Sequence, residues 1–213
     1  MSSYMMHLCI SNKVKEKLNL TNEFLYGSIL PDVVKQAGEP RNINHYIERV
    51  KIGDKERDLP NIKKAIEEIV VGENKEQELG FIAHLIEDYI WFREYIPSYA
   101  EKTQDGNILY IKDNSIHTSD EFKEDIYSDY TNSNYYVQSI IGMDKIKQLK
   151  QELLNIANPD EYKRIVEEGI RFTQKSDLMN NIFMTKESID TYIYQATNEV
   201  EKVISKLLGD NNE

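Results

Sequence analysis

The chain contains a single cysteine, Cys9, among 213 residues, so no internal disulfide can form. Cys9 reads as a small buried hydrophobe rather than a reactive thiol. Proline (5) and glycine (9) are also scarce, which leaves few forced breaks and favours long helices over a turn-rich sheet protein. No apolar run approaches the roughly 20 residues needed to cross a bilayer. Positive charge is in deficit: 26 Lys and Arg stand against 37 Asp and Glu, a net charge of −11. Nucleic acid and anionic membrane surfaces both require a basic footprint, so neither is expected as a partner. An acidic chain can still hold a local anion through bound metal ions, which leaves phosphorylated substrates open. The opening MSSYMMHLCISNKVKEK turns polar after about ten residues and shows no cleavage-like segment, so a cytoplasmic location is expected.

What is present is helical periodicity and enough apolar content, 40%, for a substantial core. The length predicts one all-α domain over residues 1–213. A first helix is expected from about Ser3 to Leu18, with His7, Ile10, Val14 and Leu18 inward. Thr21 or Asn22 caps a short second helix containing Phe24 and Leu25, and Gly27 and Pro31 break the chain near Asp32. Residues 38–60 read as loop, with His45 among them. Helices are then expected from Asn61 to Val71, closed by Gly72, and from Asn74 to Tyr95. Residues 103–118 look irregular, with a short strand at Ile108 to Ile111. Further helices are expected from Ser119 to Gly142, from Asp144 to Ala157, from Asn158–Pro159 to about Lys175, and from Lys186 to Leu208. The tyrosines, phenylalanines and tryptophan from Tyr89 to Tyr99 and from Tyr127 to Tyr136 read mainly as core and helix contacts.

The chemistry concentrates in the first ninety residues. His84 and Asp88 are one helical turn apart in GFIAHLIEDYIWF, so both side chains can reach one point. A carboxylate on so apolar a face costs several kcal/mol to bury without compensation. A cation or a structural salt bridge could supply it. His7 lies on the apolar side of the first helix, where a satisfied core histidine is the alternative. Asp32 follows Pro31 and could cap a turn, and His45 could be plain surface. Taken as a set, imidazole and carboxylate ligands suit zinc first, then manganese or iron.

The segments MMHLCISNKVKEKL, FLYGSILPD, NHYI and GFIAHLIEDYIWF occur in the order His, Gly-x-x-x-Pro-Asp, His and His-x-x-x-Asp. In this, residues 4–95 or so resemble the zinc-dependent phospholipase C family, whose helical fold is shared with P1-type nucleases. The resemblance places the metal-site portion at about residues 4–130 and leaves 144–208 as accessory helices. It implies that Asp32, His45, His84 and Asp88 ligate one zinc and His7 a second, with Asp88 bridging. It also implies that Asp32 orients or deprotonates an attacking water, and that the substrate is a small or phospholipid-derived phosphodiester.

The sequence departs from that family in two respects. Secreted members begin at a tryptophan whose terminal amine binds metal, whereas here six residues precede His7. Those members also hold a third zinc through two histidines and a glutamate. Here the one histidine after Asp88 is His117, with Glu121 four residues on. If Ser119 begins the helix, that pair shares no face. Asp129, near the apolar side between Ile126 and Tyr130 and one turn from Asp125, is the expected substitute ligand. The alternative to a hydrolase is a non-catalytic helical protein that keeps the metal cluster for structure or binds a partner. An HD-type phosphohydrolase needs adjacent His and Asp, and no His-Asp dipeptide occurs. The zinc-protease pattern H-E-x-x-H is also absent.

Overall fold

The computed structural model describes residues 3–69, 74–171 and 178–209, and these are mostly helical. The expected segments Val70 to Gly72 and Lys175, and the tail beyond Gly209, lie outside them. Helix α1 (Tyr4–Leu18) starts where the Ser3 hydroxyl accepts from the Met6 N–H and satisfies one of the orphan donors of the first turn. Its ten buried residues are the unbroken run of nine from Tyr4 to Asn12 and then Val14, so the first part of this helix is covered on all sides rather than on one stripe.

Helix α2 (Asn22–Gln36) corrects the expected break at Gly27 and Pro31, because it runs through both. Pro31 forfeits one internal N–H bond, and close packing on its neighbours sustains the helix in spite of that loss. The packing is against α5 (Lys75–Ile90). A Cβ on Gly27 would overlap the Gln77 carbonyl oxygen, and one on Gly80 would overlap the Phe24 carbonyl oxygen. The two glycines thus let the α2 and α5 backbones touch. An unbroken α2 also stacks Ser28 and Asp32 one turn apart, facing α5.

Residues 38–60 are not loop. A short helix α3 (Arg41–Asn44) leads into the antiparallel hairpin β1 (Ile47–Ile52) and β2 (Lys55–Pro60), in register from Ile47 opposite Pro60 to Ile52 opposite Lys55. Its two-residue turn, Gly53-Asp54, uses φ +60° at Gly53. Helix α4 (Ile62–Ile69) follows, and α5 comes next. Beyond α5 the chain runs through a π-helical turn, Trp91–Tyr95, into α6 (Ile96–Tyr99). Strands β3 (Ala100–Lys102), β4 (Ile108–Tyr110) and β5 (Ile116–His117) form a small antiparallel sheet that contains the expected strand.

Helix α7 (Ser119–Ile141) opens on a capping box between Thr118 and Glu121 and stops before Gly142. Helices α8 (Met143–Ile156) and α9 (Asp160–Gly169) follow, α9 ending short of the expected Lys175. The closing helix α10 (Lys186–Gly209) packs on α1 and α5. Trp91, Tyr95 and Tyr192 meet edge to face or stacked at centroid distances of 4.9–5.7 Å, tying the π-helical turn to α10. Among the described residues no helix is long and apolar enough to cross a membrane.

Candidate metal centre

The α1, α2 and α5 core brings five sequence-predicted residues together. His7 comes from α1, Asp32 from α2, His84 and Asp88 from α5, and His45 from the residue that closes α3. All five are 0–1% exposed. Two groups of three could each hold a metal ion: His7, Asp32 and His84, and His45, His84 and Asp88, with ligand atoms within 4.8 Å of one another. His84 belongs to both.

Each histidine has its Nδ1 committed elsewhere. His84 Nδ1 donates to the Ser28 carbonyl at 2.8 Å, and His45 Nδ1 donates to the Asn44 Oδ1 at 2.5 Å. His7 Nδ1 meets Glu87 Oε2 at 2.6 Å. The partners fix ring orientation, and for His45 and His84 they also fix the tautomer, because a carbonyl oxygen only accepts. In the neutral rings the Nε2 atoms therefore carry lone pairs, yet they face one another at 3.3 Å. Two lone pairs at that separation repel unless a shared proton or a metal ion lies between them. Ligands at 2.0–2.1 Å from one tetrahedral ion would stand about 3.3 Å apart, so the spacing fits a shared zinc-sized ion. His45 Nε2 and Asp32 Oδ1 are also 3.3 Å apart.

The carboxylates fit the same reading. Both Asp32 oxygens are buried and accept no hydrogen bond. Asp88 divides its oxygens between the two sides: Oδ1 lies 3.9 Å from His7 Nε2, and Oδ2 lies 3.9 Å from both His45 Nε2 and His84 Nε2. Burial opposes the charge on Asp32 and Asp88, but it is outweighed, by His45 first for Asp32 and by the amino-terminal charge ahead of the three histidines for Asp88, and both carboxyls are held below their ordinary range. Burial likewise holds His7 well below, and His84 below, the ordinary imidazole value. Metal ligation requires this protonation pattern, with neutral imidazoles and ionised carboxylates.

Several contributing groups were not singled out from the sequence. Glu87, adjacent to Asp88, is fully buried, binds His7 and accepts from the Ser11 hydroxyl at 3.1 Å. Burial pushes its carboxyl well above the usual range, which favours a proton held on the Glu87–His7 link. Arg41 Nη2 lies 3.6 Å from Asp88 Oδ2, and Lys35 Nζ lies 3.8 Å from Asp32 Oδ1. The one sequence signal for Glu87 was a second acid inside the apolar stretch IEDY. The Ser28 carbonyl is backbone and has no side-chain signature at all.

Asp129 does not join the cluster, contrary to the expectation. Its Oδ1 accepts from the Ile182 N–H, and its Oδ2 from the Phe183 and Met184 N–H groups, at 2.8–2.9 Å. Three backbone donors occupy the carboxylate, which anchors the turn before α10 to α7. His117 and Glu121 form no metal pair either. The His117 ring stacks on Tyr110 at 3.8 Å and its Nε2 meets the Ser115 hydroxyl, while Glu121 caps α7 through the Thr118 N–H. Asp125 accepts from the Tyr110 hydroxyl at 2.6 Å. No family model matches the chain, nor does any curated protein or solved structure.

Proposed function

We propose that the cluster is a divalent-metal centre and that the chain is a metal-dependent phosphoester hydrolase, similar to the zinc-dependent phospholipase C family. The observation that carries this reading is the facing pair of His45 and His84 Nε2 atoms, 3.3 Å apart, with both Nδ1 atoms committed to acceptors. Zinc is the first choice, and manganese or iron suits the same nitrogen and oxygen donors. His45, His84, Asp32 and Asp88 would hold one ion, and His7 with the other Asp88 oxygen a second. Bound ions would supply an activated water at neutral pH and charge neutralisation at the phosphoester oxygens. Asp32, with neither oxygen accepting a hydrogen bond, has acceptor capacity for a water proton and would orient that water. The substrate class that follows is a small or phospholipid-derived phosphodiester.

One observation favours a second reading, a metal held for structure alone: every ligand is 0–1% exposed. The two readings separate by experiment. Protein purified without chelator should carry zinc or manganese by elemental analysis and should cleave bis(p-nitrophenyl) phosphate. His84→Ala, which removes the ligand common to both groups, should lose metal and cleavage while retaining its far-ultraviolet circular dichroism. Bound metal without hydrolysis of monoesters, diesters or phospholipids would leave the structural reading. Absence of metal under metal-replete conditions would overturn both.

A further inference from the structure

Two cations stand over the buried ligands. Arg41 opens α3 and Lys35 sits in the last turn of α2; their side chains are 37% and 24% exposed, whereas the ligands beneath are closed to solvent. Arg41 is held with its guanidinium carbon 4.8 Å above the centroid of the Phe92 ring. Its Nε and Nη2 atoms are buried and make no hydrogen bond among the described residues. This placement is unusual for a chain of net charge −11. Lys35 feels the repulsive field of Arg41, and that of Lys123 on α7 as well. The attraction that offsets this crowding comes from Asp32 and Asp88, the same carboxylates that the metal reading assigns to ions.

The charge balance decides what the pair is for. Arg41 Nη2 lies 3.6 Å from Asp88 Oδ2 and Lys35 Nζ 3.8 Å from Asp32 Oδ1, so each cation stands against a carboxylate that the metal reading assigns to an ion. Each divalent ion that takes the carboxylates adds two positive charges beside Arg41 and Lys35 and draws away the carboxylate charge that these two side chains face. A low-dielectric site does not keep such a surplus, so the loaded centre calls for an anion. A guanidinium fork recognises two oxygens of one group, and a tetrahedral phosphoryl group can offer further oxygens to an ion below.

We infer that Arg41 and Lys35 form a phosphoryl clamp, released from Asp88 and Asp32 when metal binds and then closing on the non-bridging oxygens of the substrate. The inference rests on the metal reading of the cluster. It assigns these two side chains to ligand binding and not to metal ligation. In metal-free protein the clamp is engaged on the carboxylates, so anion affinity is switched on by metal.

The test measures metal and anion separately. Zinc-loaded protein, desalted of excess metal, is titrated with inorganic phosphate by calorimetry, alongside metal-free protein, Arg41→Ala, Arg41→Lys and Lys35→Ala. Zinc affinity of each is measured by competition with a chromophoric chelator. The expected result is phosphate binding by the loaded protein only. Arg41→Ala should weaken it tenfold or more, Lys35→Ala should also weaken it, and Arg41→Lys should be intermediate because the fork is lost. Zinc affinity of Arg41→Ala should be equal to or tighter than the parent's, because a like charge has been removed. A chain that binds no zinc overturns the metal reading and the clamp together. Zinc binding with phosphate affinity equal in parent and Arg41→Ala overturns the clamp alone, as does equal phosphate affinity with and without metal. Arg41→Lys keeps the charge and the stem, so it remains informative if Arg41→Ala does not fold.

Discussion

Single residues around the cluster divide into those that would hold an ion and those that aim the holders, and the two groups should respond differently to substitution. Glu87 reaches His7 Nδ1 and the Ser11 hydroxyl and is itself in neither ligand triad. Glu87→Gln keeps the size and one acceptor but loses the proton-accepting carboxylate. Loss of such a supporting partner typically costs about 10–100-fold in metal affinity, and that is the drop expected in a chelator competition, with the fold intact. Asp129→Ala should do the reverse. It leaves the Ile182, Phe183 and Met184 N–H groups without their shared acceptor, so a loss of about 3 kcal/mol is expected in urea unfolding, with metal content unchanged. A fall in metal content would return Asp129 to the ligand set. The contrast shows why some residues were legible in the sequence and others were not. His84 and Asp88 declare themselves by spacing on an apolar face. Asp129 sits on a similar face, and nothing in its neighbourhood reveals that the chain fifty residues later turns three N–H groups toward it. Glu87 was readable only as one more acid, because its partner lies 80 residues away on α1.

At the scale of elements, the site depends on how closely α2 approaches α5. Gly80 faces the Phe24 carbonyl and the Ser28 nitrogen, and no Cβ fits there. Gly80→Ala must push the two helices apart. Overpacking of this kind costs about 3 kcal/mol when the obstacle is backbone that cannot rotate away. The same displacement would draw the Ser28 carbonyl off His84 and move Asp32 relative to His45. The expected outcome is a lower urea midpoint together with weakened zinc binding; a variant as stable as the parent would show that the contact is not tight. Periodicity was sufficient to locate α1, α5, α7 and α10, since each buries a broad apolar face and has a cap or glycine at an end. It failed at α2, where Gly27 and Pro31 carried the local signal for a break while the tertiary contact kept the helix whole. It failed again at β1 and β2. The segments IERVKI and KERDLP are mostly exposed on both faces, so no alternation of apolar and polar residues marks them. The readable trace of that hairpin was Gly53-Asp54 alone.

For the molecule as a whole, the buried titratable groups pull stability in opposite directions with pH, and the direction of each can be worked through. His7 and His84 have folded values held below 6.5, so they bind protons in the unfolded chain that they refuse in the folded one. Their contribution is complete above about pH 6.5 and is lost as the pH falls toward their folded values. Asp32 and Asp88, held below 3.8, act in the same sense at lower pH. Glu87 has the opposite sign. Its folded value is raised above 4.5, so its contribution is present below 4.5 and is lost as the pH rises toward the folded value. Each unbalanced proton corresponds to ~1.4 kcal/mol per pH unit. Below pH 6.5 the histidines act against Glu87 and against Asp129, whose folded value is also raised, and above pH 6.5 Glu87 pulls against stability. In urea unfolding, metal-free protein should lose stability as the pH rises above 6.5 toward the raised folded value of Glu87. Metal changes the upper limb. An ion on His7 needs the Nε2 lone pair, which the Glu87–His7 link can supply only by giving up a proton, so binding tightens as pH rises. At a free zinc concentration 100 times the dissociation constant the added stability is about 2.7 kcal/mol, and that increment should grow from pH 6 to pH 8 at constant free zinc. Stability of the metal-free chain that rises steadily through pH 6.5 to pH 8 would mean that Glu87 is ionised in the folded protein.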